Sequence, residues 1–246
     1  MRLRATSFLL LVSLVTFASL ATLAPPAAAF GGINLRWTDC GEFGIVARSF
    51  ACNTNVGTNQ LFASVIAPVP MNQLEGMEAV IDLQSLSASL PNFWQLGSGG
   101  CRSGALTHNF DFTLGPFNCG DPWQGVAAGG ESYQAGFPFP NGARIKIVVA
   151  VQVPVSIDDV TEYYAFELRF SNAKAVGTGA CAGCIVPVCL VLNQIKLVQP
   201  AGVGDYVVQN PILTNGASWQ QYGANCPFQE VPVRATSWGA VKSLYR

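Results

Sequence analysis

An all-β fold, an antiparallel β-sandwich of jelly-roll or Greek-key type with long loops and disulfides, is predicted by three observations. Apolar residues recur with period two in several segments of strand length. Only 11% of the residues are charged against 50% hydrophobic, and 25 glycines and 15 prolines punctuate the chain, a turn-rich rather than a helical balance. Eight cysteines, all after residue 39, supply staples.

The chain opens with a secretory signal peptide over residues 1–29. Arg2 and Arg4 form its positive region, residues 8–23 its apolar run, and Ala27 and Ala29 a small-residue cleavage site before Phe30. Residues 30–246 are then read as a single β-sandwich domain with a short C-terminal tail or helix. Phe30 stands where a lipoprotein would need cysteine. A secreted or periplasmic location follows, where cysteines pair. Without the two leader arginines, eleven basic residues face fourteen acidic ones, which argues against a nucleic-acid partner. The longest later apolar run, 184–192, contains Pro187 and is too short to span a bilayer, so no membrane span is expected in the mature chain.

The strands follow in order. Weaker patterns place them at 61–67, 79–84 and 106–114. The clearest covers 143–153, with Ile145, Ile147, Val149 and Val151 on one face and Arg144, Lys146 and Gln152 on the other. Tyr164, Phe166, Leu168 and Phe170 share a face of a strand over 162–170. The link between these two strands is too short for a crossover helix, which predicts an antiparallel pair. In 186–197, Val186, Val188, Leu190 and Leu192 share one parity and Ile195 and Leu197 the other, so a bulge is expected near Asn193-Gln194. A last strand lies at 205–209, for seven or eight in all. The Gly- and Pro-rich stretches 97–104, 115–130 and 136–142 read as surface loops, where binding commonly resides. Thr236 or Ser237 would cap a short helix carrying Trp238, Val241 and Leu244, weakened by Gly239.

Cys181 and Cys184, with Cys189, form the densest cysteine cluster. A redox site would need its CxxC on a helix N-terminus, and a strand follows instead. Zinc held by Cys181, Cys184, Cys189 and Cys226 is the alternative, but a second CxxC is missing and export favours oxidation. Disulfides are the simpler reading, with no metal and no cofactor expected. Proximity suggests Cys40 with Cys52 and Cys101 with Cys119.

His108 is the only histidine, so any Ser–His chemistry must use it, with Asp111 near and Ser98 or Ser103 upstream; the shaped GxSxG turn is missing. Paired carboxylates are the other catalytic route, drawn from Glu131, Asp158, Asp159, Glu162 and Glu167. Asp158, Asp159 and Glu162 also suggest a loop calcium site, against which stands the lack of EF-hand spacing. Of the tryptophans Trp37, Trp94, Trp123, Trp219 and Trp238, Trp94 and Trp123 fall in predicted loops, where exposed rings would form a sugar platform and buried ones would plug the core.

The cysteine segment GACAGCIVPVCLVLN from Gly179 and the C-terminal TSWGAVKSLYR from Thr236 resemble a group of uncharacterised exported bacterial proteins. The strand order is more loosely similar to cohesin-like and carbohydrate-binding β-sandwiches, a likeness of fold that carries no catalytic residue. The function expected is an exported non-catalytic binding or structural module whose partner is a protein or a glycan. A carboxylate-dependent glycoside hydrolase and a cysteine-ligated metal protein are the alternatives. Exposed coplanar tryptophans would favour glycan, and an exposed apolar patch or open sheet edge would favour protein.

Overall fold

The computed structural model describes residues 31–221; the expected leader, Cys226 and the expected C-terminal helix lie outside them. Among the described residues there are eleven strands and no α-helix. They are β1 (Gly32–Trp37), β2 (Ala47–Arg48), β3 (Thr58–Ile66), β4 (Met71–Ser85), β5 (Leu106–Asn109), β6 (Ala128–Ala135), β7 (Gly142–Ile157), β8 (Tyr163–Ser171), β9 (Val188–Val198), β10 (Tyr206–Val208) and β11 (Gly216–Trp219).

One sheet has the order β1-β3-β8-β5 and the other β2-β11-β9-β4-β7-β6. β10 also pairs with β9, end to end with β11 along the edge opposite β4. The sheets pack face to face because each carries an apolar set of alternate residues. Met77, Ala79, Ile81 and Leu83 of β4 and Ile145, Ile147 and Val149 of β7 meet Leu61 and Ala63 of β3 and Phe166, Leu168 and Phe170 of β8 in one buried cluster. A single parallel pair, β2 with β11, interrupts the antiparallel pattern.

The bulge anticipated in β9 is present. Val80 pairs with Gln194 but Ile81 with Leu192, so Asn193 is the extra residue, and Leu192 and Ile195 are both fully buried despite opposite parity. Two expectations fail. β7 and β8 belong to different sheets, because a short link can also carry the chain over the sandwich edge. Tyr164 does not share the face of Phe166: the register of β8 against β3 shifts between Ala63 and Ser64, and this bulge turns Tyr164 to the outer face.

Tyr164 there stacks on Phe112 at 4.5 Å, and Phe62 lies beside both at 6.0 and 6.4 Å. The outer face of the four-stranded sheet therefore carries a second aromatic layer, which the loop between β5 and β6 covers. Three disulfides between described residues hold loops to the sandwich: Cys40–Cys119, Cys52–Cys184 and Cys101–Cys181. Proximity in sequence misled, since the bridges span 79, 132 and 80 residues. Strands that the sandwich brings side by side, not loop length, decide which thiols meet. Three such bridges fit an oxidising compartment. No helix among the described residues is long and apolar enough to cross a membrane.

Arg102 locks the loop that Cys101 anchors. Its buried guanidinium donates to the carbonyls of Phe93 (2.8 Å), Ala173 (2.9 Å) and Ser171, and lies 3.5 Å over the Phe93 ring. Burial pulls its pKa down to about 10.

Candidate functional site

The β5–β6 loop is built from short polar turns that fix its stems. Asp111 Oδ1 accepts from the Thr113 amide (3.0 Å) and hydroxyl (2.6 Å), and Asp121 Oδ1 from the amides of Trp123 (2.9 Å) and Gln124 (3.1 Å). These contacts hold the Asp111 carboxyl below the usual range. Gly125 lies against Asp111 and Thr113, which sets the two stems side by side.

Asp39 ties this loop to the end of β1. Its Oδ1 accepts from the Cys40 amide and the Tyr164 hydroxyl, both at 2.7 Å, and its Oδ2 from Asn118 at 2.6 Å. The Cys40–Cys119 bridge repeats the tie covalently. Gly120 then pairs with the start of β8, its amide donating to Glu162 and its carbonyl accepting from Tyr164. A side chain at Gly120 would strike the Tyr163 ring at 2.8 Å. Trp123 is fully buried and donates from Nε1 to the Ala165 carbonyl at 2.9 Å, plugging the loop into the outer aromatic layer.

Between these anchors the tip faces solvent. Leu114 is 93% exposed and Phe117 77%, while Val126, 68% exposed, stands on the second stem one residue after Gly125. Gly115, at φ +93°, makes the turn between Leu114 and Pro116.

The residues singled out from sequence are distributed otherwise. Trp94 and Trp123, expected as a sugar platform, are both fully buried, as are Trp37 and Trp219. Trp94 lies edge-on to Trp219 at 5.3 Å and to Phe170 at 5.7 Å, because its loop folds into the gap at one end of the two sheets. Cys181 and Cys184 are spent on bridges to Cys101 and Cys52, and Cys189 is also disulfide-bonded. The thiolate set that zinc or redox chemistry would need is therefore oxidised.

The carboxylates are dispersed among their own partners. Glu167, nearly fully buried, accepts from Gln60 (2.6 Å), Asn109 (3.0 Å) and both arms of Arg169 (2.8 Å). Glu162 accepts from Asn34 (2.7 Å) and Ser64 (2.5 Å). Asp158 caps its own turn through Val160, Thr161 and Tyr163, which holds its carboxyl below the usual range. Glu131 pairs with His108 Nδ1 where β5 and β6, the edge strands of the two sheets, approach each other. Among the described residues no group of three or more His, Cys, Asp or Glu could hold a metal ion.

The 115–130 stretch reads from sequence as a surface loop suited to binding, but Leu114 falls at the end of the expected 106–114 strand and LGPF carries no titratable or metal-binding residue to single out the tip. The available signal was an uncharged run between two Asp-led turns and next to a cysteine. Comparison with protein-family models and with characterised proteins found no match for this chain. The fold and site define a disulfide-braced β-sandwich that presents an apolar loop tip.

Proposed function

We propose that the chain is an exported, non-catalytic binding module whose partner is a protein, engaged through Leu114, Phe117 and Val126. The observation that carries this reading is the combination of exposure and anchorage. Apolar side chains at the tip are held outward by a covalent bridge, a buried tryptophan and a buried carboxylate. The ordering entropy that a mobile loop would lose on binding is thus already lost on folding.

The magnitudes support the reading. Burying each of the three side chains would contribute about 1.5–3 kcal/mol. That sum offsets much of an association cost of about 4–15 kcal/mol, and a surrounding rim would supply the rest. Charge selects the partner. No lysine or arginine occurs between Arg102 and Arg144, whereas Asp111, Asp121 and Glu131 do. Anionic lipid headgroups would be repelled by such a surface, and a protein pocket rimmed by Lys or Arg would be attracted. Every described tryptophan is buried, which removes the stacked platform that a glycan reading of Trp94 and Trp123 required.

Site-specific photo-crosslinking in producing cells tests this. A crosslinker at Leu114 or Phe117 should trap one discrete protein that a crosslinker at exposed Val153 on β7 does not. Identical products from all three positions would overturn the proposal.

A further inference from the structure

We propose that a cleft far in sequence from the β5–β6 loop is a subsite for a neutral sugar. This does not rest on the protein-binding reading. The cleft, of about 290 Å³, lies between the β3–β4 turn and the β9–β10 turn and is lined by Val69, Pro70, Asn72, Gln73, Gln199, Val203 and Tyr206. Its volume sits at the lower bound of small-molecule sites, the size class of one or two sugar rings.

Its chemistry is that of a polyol site. Val69, Pro70 and Val203 give apolar surface, and Tyr206 on β10, 38% exposed, adds an aromatic ring to the lining. The side-chain amides of Asn72 and Gln73 and the Tyr206 hydroxyl make no hydrogen bond within the described residues, so their donors and acceptors are free for a ligand. Gln199 is pre-set: its Nε2 donates to the Gly204 carbonyl at 2.5 Å, and its backbone amide to Asp205 at 3.0 Å. Its Oε1 is left to accept from a hydroxyl.

No charged residue lines the cleft. Lys196, a nearby cation, is already taken up by carboxylates, Asp205 at 2.9 Å and Glu78 at 3.7 Å. An ionic ligand would find no counter-charge, whereas a sugar presents hydroxyls to the amides and an apolar C–H face to the ring. The platform anticipated at Trp94 and Trp123 is thereby replaced by a smaller one at Tyr206.

The test is an amide-shift titration of the isotopically labelled protein with maltose, cellobiose, xylobiose, mannobiose and chitobiose. At least one sugar should shift the amides of residues 69–73 and 199–206 saturably. Tyr206→Ala should weaken that binding about tenfold. Gln73→Ala, an exposed change that leaves folding intact, should weaken it severalfold, and Phe117→Asp should leave it unchanged. Saturable shifts with no sugar, shifts confined to other residues, equal affinity in wild type and Gln73→Ala, or binding of an uncharged tripeptide in place of every sugar would each overturn the assignment.

Discussion

The Tyr164 hydroxyl donates to Asp39 Oδ1 at 2.7 Å across 125 residues of sequence. This bond joins the bulge in β8 to the end of β1, beside the bridge that clamps the β5–β6 loop. Tyr164→Phe keeps the ring stack on Phe112 but deprives a buried carboxylate of one of its three donors. We expect a loss of about 1–3 kcal/mol in denaturant unfolding. Faster amide exchange should be confined to the neighbourhood of Asn118 and Cys119.

The clamp itself should matter more. In the loop-closure view, a bridge spanning 79 residues contributes about 4.5 kcal/mol. The double change of Cys40 and Cys119 to serine should lower stability by that order and speed exchange in the loop. Non-reducing peptide mapping should recover Cys40–Cys119, Cys52–Cys184 and Cys101–Cys181; a Cys40–Cys52 peptide would contradict the fold.

Arg102 offers a sharper test of packing. Arg102→Met keeps most of the stem but leaves the carbonyls of Phe93, Ser171 and Ala173 without their donor. A destabilisation of about 3 kcal/mol or more is expected, and Arg102→Lys should recover only part of it because one ammonium cannot reproduce the planar fork. An unfolding midpoint equal to wild type would remove Arg102 as the anchor of this loop.

Alkaline pH should destabilise the protein. Burial raises the Tyr133 phenol, Arg102 opposing, and burial with the bond to Asp39 raises Tyr164. Each keeps its proton in the native state after the unfolded chain has lost its own near pH 10, so their contribution is full below that pH and drains above it. Arg102 has the opposite sign: its native value of about 10 lies below the ordinary 12.5, and its burial penalty eases between them. Two tyrosines outweigh one arginine, and stability measured by denaturant should fall between about pH 9 and 11. A rise over that interval would contradict the burial of both phenols.

Local patterns in the sequence were enough to place the long central strands. β7 alternates against one buried face, β8 and β9 carry large apolar residues at every second position although both their faces are covered over part of their length, and the parity change at Asn193 located a bulge. β6 was hidden because its Gly129-Gly130 reads as loop, and β11 because all four of its residues are buried, leaving no alternation. Long-range facts were out of reach. The thiol pairings follow from which strands neighbour each other, and the burial of Trp94 and Trp123 follows from loops folding back onto sheet faces. The proposed binding surface was hidden for a further reason. Leu114 and Phe117 are ordinary core residues by type, and only the fold reveals that nothing in the described structure covers them.

Under the proposed function the anchored tip binds a protein. The most direct measurement of this is the affinity of the partner trapped at Leu114 or Phe117, determined by calorimetry for wild type, Phe117→Ala and Val153→Ala. The expected result is a loss of about tenfold or more for Phe117→Ala with an unchanged melting temperature, and no loss for Val153→Ala. Equal affinity for all three proteins would contradict the account.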